Sequence, residues 1–380
     1  MTRVKILSLV TLLSLVTLAA LLAPSSAHAQ TFKSSAGDLK VTTVASGLVN
    51  PWSLAFLPDG RMLVNERSGR MRIVTRDGKL SPPLGGVPQV SAGGQAGLLD
   101  VALDRAFPQN QTIYFCFSAT GGNNVVMRAQ LNSGEAPGLT AVKEIFRQIG
   151  PPGRANVACR IAQSPEGNLF VSLGDHFGAR DDAQKLTNHI GKIVRIRPDG
   201  TVPPDNSFVG KADARPEIWS YGHRNPEGLT FNPADGKLWE QEHGPQGGDE
   251  INLILPGHNY GWPLVSYGIN YDGTPVGAGK QQMAGADDSV WHWTPSIAPS
   301  GMAFITSDLF KGWKGSLMNG ALKFQLLARL ELNGDKVVKE ERLLQDLHER
   351  IRDVRQGPDG ALYLLTDNSA GRILRLAPAK

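Results

Sequence analysis

A short cassette recurs along the chain: an apolar run, a Pro-Asp-Gly type turn, and a second apolar run. Leu54-Ala55-Phe56-Leu57 passes through Pro58-Asp59-Gly60 into Met62-Leu63-Val64. The run 159–163 passes through Pro165-Glu166-Gly167 into Leu169-Phe170-Val171. Leu229-Thr230-Phe231 passes through Pro233-Ala234-Asp235-Gly236 into Leu238-Trp239, and Val354 precedes Pro358-Asp359-Gly360 and Leu362-Tyr363-Leu364. Proline presets φ and glycine supplies a positive φ, so each cassette is a β-hairpin. Two copies continue alike, with SGRMRIV at 68–74 and AGRILRL at 370–376, and a degenerate copy spans 103–117. Spacings of roughly 50–70 residues exceed one hairpin and fit a four-stranded blade with long loops. The expected fold is all-β: a six-bladed β-propeller of four-stranded antiparallel blades, about 58 residues each, around a central channel. A pair of β-sandwiches offers no reason for the repeated Pro-Asp-Gly and Gly-Arg-Ile cassettes.

In a propeller the loops at one end of the strands converge on the channel, so chemistry is expected there. The longer insertions, 85–97, 175–206 and 260–299, are the expected site walls. Helical periodicity is weak, and no linker suggests a second domain.

Residues 1–29 read as an export signal. Arg3 and Lys5 precede an apolar run from Ile6 to Leu22, and Ala27-His28-Ala29 offers a small-x-small cleavage site. Cleavage, rather than an uncleaved anchor, places the mature domain at 30–380 in the periplasm or outside the cell, with no membrane span. Losing Arg3 and Lys5 lowers the formal charge from +4 to about +2. That balance, without a basic run, excludes a nucleic-acid partner. Cys116 and Cys159 leave two readings open, a disulfide formed in an oxidising compartment or two buried thiols on separate strands.

Phosphate-binding and hydrolase signatures are missing. Gly191-Lys192 is followed by Ile193, Leu186 stands where a Walker loop needs glycine, and there is no GxSxG, HExxH or GxGxxG after a strand. The chemistry gathers instead in 219–263. GHRNPEG places Arg224 beside Asn225, and a guanidinium suits a carboxylate-bearing ligand. EHGPQGGDE is an acidic, turn-rich loop holding Glu242, Asp249 and Glu250, with glycines that can turn carbonyls inward, as a calcium site requires.

The chain resembles the soluble pyrroloquinoline-quinone (PQQ) dependent aldose sugar dehydrogenases of the glucose/sorbosone dehydrogenase type. The likeness runs through NPWSLAFLPDGRMLVNERSGR, GGQAGLLDVALD, GDHFGARDDAQKLTNHIGKIVRI, GHRNPEGL, EHGPQGGDEINLILPGHNYGWP, ALKFQLLARLEL and RIRDVRQGPDGALYLLTD, nearly all of the mature chain. It implies a six-bladed propeller that binds PQQ and calcium at the channel mouth. It further implies oxidation of a sugar's anomeric carbon to a lactone, with an external electron acceptor regenerating the cofactor. By resemblance, Gln95, Arg224 and Asn225 contact the quinone, and Lys323, Arg350 and Arg352 neutralise its carboxylates. Gly244 and Pro245 then offer carbonyls to the calcium on PQQ, and Glu250 and Tyr260 ligate a second, structural calcium.

One position departs from that pattern. The resemblance implies a base histidine four residues before Arg160, and Asn156 stands there, while Asp175, the carboxylate that would orient it, is kept. An amide cannot accept a proton near neutral pH. Three expectations follow: His176, beside Asp175, serves as base; the protein turns over slowly or on an unusual substrate; or it is a non-enzymatic, calcium-stabilised propeller that binds a saccharide or protein.

Overall fold

In the computed structural model, which describes residues 30–379, each cassette turn closes an antiparallel hairpin. Pro51–Phe56 pairs with Met62–Glu66, and across the Pro58-Asp59-Gly60 turn the Leu57 amide donates to the Arg61 carbonyl at 2.8 Å. Ala158–Gln163 pairs likewise with Leu169–Leu173, Pro226–Phe231 with Leu238–Glu242, and Ile351–Gln356 with Leu362–Thr366. Two further hairpins, Leu98–Leu103 with Thr112–Ser118 and Pro299–Phe304 with Leu317–Ala321, complete a set of six.

Each hairpin is the inner half of a blade. Blade 1 adds Arg70–Val74; blade 2 adds Asn124–Asn132 and Gly138–Arg147; blade 3 adds Lys192–Ile196 and Ile218–Tyr221. Blade 4 adds Asp249–Ile254 and Trp291–Trp293, and blade 5 adds Leu327–Asn333 and Lys336–Leu343. Blade 6 is built from both ends of the chain: Gly371–Pro378 pairs with Leu39–Leu48, which pairs with Gln30–Phe32. The first strand of every hairpin packs on that of the next blade, and the Ile351–Gln356 strand returns to Pro51–Phe56, closing the ring. The six-bladed propeller is therefore present, with four of its blades four-stranded. Blade 1 has three strands, because beyond Val74 only an isolated Val74–Leu80 bridge forms, and blade 6 has five.

Sandwiching between neighbours explains why the second strands are buried on both faces, polar residues included: Met62–Glu66 and Leu169–Leu173 are buried at every residue. Between blades 1 and 2, Leu63, Met71 and Ile73 pack with Val101, Phe115 and Met127. Cys116 of blade 2 and Cys159 of blade 3 form a disulfide across that kind of interface, which decides between the two readings of the cysteines.

Strand direction sorts the loops. The cassette turns all lie at one end of the ring; the starts of the inner strands and the ends of their partners lie at the other. The insertion 175–206 is divided accordingly. Residues 175–191 leave the end of Leu169–Leu173, but 197–206 continue past the opposite end of Lys192–Ile196, so only the first part walls the expected site. Lys192 fastens that part from below, its buried ammonium donating to the carbonyls of Asp182, Ala183 and Ile190 at 3.1, 2.8 and 2.6 Å. The proposed export signal at 1–29 lies outside the described residues. Among the described residues no helix is long and apolar enough to cross a membrane.

The disulfide closes a separation of 43 residues, so replacing Cys116 and Cys159 together by Ala is expected to lower the unfolding free energy by about 2–4 kcal/mol. Equilibrium denaturation measures this; a variant as stable as the parent would contradict it.

Candidate active site

All six inner strands shift register within their first residues. A bulge adds an unpaired residue and re-aims its side chain. Here it places Trp52, Arg160, Glu227 and Arg352, from four different blades, against one another at the axis. The Arg160 guanidinium lies 4.0 Å from the Trp52 ring centroid, and its Nε donates to the Glu227 carbonyl at 2.7 Å. Below them Arg160 and Arg355 share the carboxylates of Asp100 and Asp353 at 2.9–3.2 Å. This ion-paired network, buried except at the Arg355 edge, plugs the channel and leaves the site as a bowl above it.

Arg224 sits in the wall of that bowl, buried, at the point where blade 3 hands over to blade 4. Its amide donates to a Glu242 carboxylate oxygen, and its Nη1 donates to the carbonyls of His243 and Gly244, both at 2.9 Å. Those anchors turn the remaining edge of the guanidinium into a cavity of about 440 Å³. Asp175, Trp262, Pro245, Phe177 and Tyr271 line it as well. Phe177 and Tyr271, both more than half exposed, stack with ring centroids 6.2 Å apart and form the outer lip. Gly244 has no room for a side chain: a Cβ there would lie 2.2 Å from the Gly247 carbonyl oxygen.

From Arg224 a belt of hydrogen bonds runs round the mouth. The Gly244 amide donates to Asp249 at 2.9 Å, and the other Asp249 oxygen accepts from the Ile297 amide at 2.7 Å. The Lys323 amide donates to the Ile297 carbonyl, and Arg350 donates to the neighbouring Leu322 carbonyl at 3.2 Å. Arg350 and Arg352 meet on Asp367, at 3.1 and 3.0 Å, and Arg352 also pairs with Glu227. Asn225 closes the circuit, donating to Glu227 at 3.2 Å and accepting from the Ala158 amide. The expected cofactor residues thus come together at one end of the ring. Their charges, however, are not equally available. Arg352 is buried between two carboxylates, Arg350 is half exposed, and Lys323 is exposed with its ammonium 5.5 Å from the Phe324 ring. Burial works against ionising Asp367, but the Arg352 and Arg350 guanidinia outweigh it and hold its carboxyl well below the usual range.

Beside Asp175, whose amide donates to the Arg224 carbonyl at 2.8 Å, Asn156 stands where the histidine was expected. Its amide is accepted by the Gln95 side chain, and its Nδ2 donates to Asp175 at 2.9 Å. Asp175 also accepts from the Phe177 amide at 2.7 Å and the Trp262 indole at 2.8 Å. Burial pushes its pKa up, against the nearby Arg224 charge and these three donors. His176 is turned the other way. Its Nδ1 lies 2.7 Å from the Pro151 carbonyl, burial lowers its pKa, and it does not line the cavity.

The acidic loop contributes a separate cluster between blades 3 and 4. Glu242 faces Glu250 and Glu240 faces Asn252 in register, so four polar side chains share one face of blade 4. Ligand atoms of Glu240, Glu242 and His223 all lie within 4.8 Å of one another. Desolvation, then the Glu242 charge, raises the pKa values of Glu240 and Glu250 well above the carboxylate range. One oxygen of Glu240 and the Asn252 carbonyl oxygen are buried without a protein partner. A hard cation suits that donor set. Tyr260 stacks on His223 at 4.7 Å, but its hydroxyl is engaged by the Leu255 amide and the Leu253 carbonyl. What it can offer a cation is its backbone carbonyl.

Sequence reasoning did not find Trp262, Glu227, Asp367, Phe177 or Tyr271. Glu227, a carboxylate at the start of an apolar strand, was the one with a local signal; Trp262, Phe177 and Tyr271 are defined by contacts between blades, and Asp367 by the arginines across its own hairpin.

The Glucose / Sorbosone dehydrogenase family profile matches residues 48–375, and the chain belongs to that family. Among curated proteins it is 43% identical to the aldose sugar dehydrogenase YliI of Escherichia coli over 347 residues, covering 90% of this chain and 93% of that one. Among solved structures it resembles the apo-form of the soluble aldose sugar dehydrogenase of E. coli, with TM-score 0.86 and 42% identity over 90% of this chain and 99% of that one. It also resembles the PQQ-bound aldose sugar dehydrogenase of Streptomyces coelicolor, with TM-score 0.76 and 32% identity over 89% and 98% of the two chains.

Asp367→Asn removes the shared anchor of Arg350 and Arg352 and is expected to cost about 1.5–3 kcal/mol near neutral pH. Because the native pKa of Asp367 is depressed, this contribution is present above the unfolded value of 3.8 and is lost as the pH falls below it. Denaturation curves at several pH values should therefore show the deficit closing under acid; a pH-independent deficit would contradict the charge account.

Proposed function

We propose that this chain is an exported, PQQ- and calcium-dependent aldose sugar dehydrogenase that oxidises the anomeric carbon of an aldose to the lactone and passes the electrons to an external acceptor. The observation that carries the reading is the belt that joins Arg224, Lys323 and Arg350 around one mouth beside a 440 Å³ cavity. A small polycarboxylate leaves water only where several cations receive it. The family assignment and the PQQ-bound relative support the same cofactor.

The residues present fit that group. Lys323 and Arg350, exposed at that mouth, would receive its carboxylates, with Arg352 paired to Glu227 and Asp367 behind them. Arg224 presents the free edge of its guanidinium where negative charge develops on a quinone oxygen, with Gln95 and Asn225 as neighbouring amides. When bound, PQQ supplies the two-electron acceptor for the anomeric hydride. Gly244 and Pro245 offer carbonyls for a calcium beside it, and Glu250, Glu240 and the Tyr260 carbonyl hold a second one. The Phe177–Tyr271 lip suits the apolar face of a sugar ring. Export to the periplasm or medium is supported by the character of residues 1–29 and by the Cys116–Cys159 disulfide. Asn156 favours a second reading, a propeller that binds a saccharide or protein without turnover.

Purified apoprotein given PQQ and calcium should take up the cofactor and reduce a dye with aldoses. Lys323→Ala should weaken PQQ binding about tenfold or more. Failure to take up PQQ would overturn the dehydrogenase reading, and uptake without turnover would favour the second. Calcium makes a further distinction. The raised pKa values of Glu240 and Glu250 mean that, without a cation, their contribution is present below the unfolded 4.5 and is lost as the pH rises. Calcium binds the ionised carboxylates, so its effect on Tm should grow from pH 5 to pH 8 by several degrees. A Tm indifferent to calcium across that range would remove the metal from the account.

A further inference from the structure

Resting on the dehydrogenase reading above, we propose that Asp175 itself, rather than a histidine it would orient, is the general base that takes the proton from the sugar's anomeric hydroxyl. The side chain at the expected base position, Asn156, has no basic atom, and its Nδ2 is committed to Asp175 at 2.9 Å. Asp175, by contrast, lines the same cavity as Arg224. One carboxylate oxygen accepts from both Asn156 and the Phe177 amide, and the other accepts only from the Trp262 indole. A carboxylate has about four acceptor positions, so one remains, on Oδ2, for a hydroxyl placed in the cavity.

The other titratable groups nearby are turned elsewhere. His176 faces the Pro151 carbonyl, His243 Nε2 points toward Glu227 at 3.8 Å, and Asp272, on the exposed rim, accepts from the Thr274 hydroxyl at 2.6 Å. Arg224 is the charged group that bears on Asp175, beside the amides of Asn156 and Phe177 and the Trp262 indole. Of the other groups lining the cavity, Arg180 donates to Asn270 at 2.9 Å and the Tyr271 hydroxyl lies 3.5 Å from Arg224 Nη2. Burial lifts the carboxyl toward the working pH, which makes it a better base than an exposed aspartate.

The step balances. The O1–H bond of the sugar breaks and its proton passes to Oδ2 of Asp175. The bonding pair becomes the second C1–O bond. The C1–H bond breaks with its electron pair, leaving as hydride to the quinone oxidant. The aldose is oxidised to the lactone and the quinone is reduced by two electrons.

The test uses the reconstituted protein and follows kcat/KM against pH, PQQ uptake by absorbance, and the infrared carboxyl band. Asn156→Gly accommodates the positive φ of 48° at that position while removing the amide that favours ionised Asp175. Its acid limb should move to higher pH with PQQ uptake unchanged. Asp175→Asn should bind PQQ yet lose about 10²–10⁴ in turnover. The protonated-carboxyl band that grows with the acid limb in the parent should be missing from it. An acid limb unmoved by Asn156→Gly, or one that follows His176→Gln, overturns the assignment. Asp175→Asn turning over at the parent rate overturns it as well. Should Asp175→Asn fail to fold, the Asn156→Gly profile and the parent's infrared titration still decide. A parent protein that takes up no PQQ would instead overturn the dehydrogenase reading, and the base with it.

Discussion

The antiparallel pairing of Leu39–Leu48 with Gly371–Pro378 closes the ring, and the site exists only while it holds. Six inner strands can converge on an axis only if the last blade returns to the first, and here both ends of the chain meet in blade 6 to do so. That blade carries Arg350, Arg352 and Asp367, which must stand opposite residues near 224. A single stretch of backbone pairing thus sets the distance between charges far apart in sequence. Antiparallel pairing with the last strand also leaves no free strand edge at the seam, the general advantage of closed β architectures.

Within the ring, charge is balanced before any ligand arrives. Arg160 and Arg355 share Asp100 and Asp353, and Arg352 is held by Glu227 and Asp367. Unpaired, such charges would cost several kcal/mol each to bury. The consequence is a division of labour among the cations expected to face an anion: Arg352 stiffens the floor, whereas Lys323 and the exposed edges of Arg350 and Arg224 remain available. Between blades 3 and 4 the carboxylates of Glu240, Glu242 and Glu250 are the reverse case, acidic groups crowded together, with one Glu240 oxygen and the Asn252 carbonyl oxygen lacking protein partners. The molecule holds an excess of donors at the mouth and of acceptors beside it.

Much of the architecture was legible because turn chemistry is local. A Pro-Asp-Gly between two apolar runs specifies its hairpin without reference to the rest of the chain, and four such cassettes were enough to imply the ring. The strand counts of blades 1 and 6 were not legible, since they depend on where the chain ends meet. The motifs singled out Arg224, Asn225, Lys323, Arg350 and Arg352, which the fold brings to one end of the ring, but their individual environments were not legible. Alternation along a strand puts Arg350 and Arg352 on the same face; the bulge between Ile351 and Asp353 buries one and leaves the other half exposed. Trp262 and Tyr271 gain their meaning only from neighbours in other blades, and Asp367 from the arginines across its own hairpin. The Tyr260 hydroxyl, expected near a metal, is occupied by the backbone of its own blade, a contact that residue types alone do not disclose. His176, adjacent to Asp175 in sequence, faces away from it in space, because the left-handed backbone at His176 and Phe177 reverses the chain there.

Most direct for the central claim, that side chains from separate blades are gathered to receive one anionic cofactor, is a crystal structure of the protein soaked with PQQ and calcium. The account predicts planar density above the Trp52–Arg160–Arg352 plug, with carboxylates at Lys323 and Arg350 and the quinone edge against Arg224. Density bound elsewhere, or a mouth in which Lys323 and Arg224 touch no part of the cofactor, would contradict it.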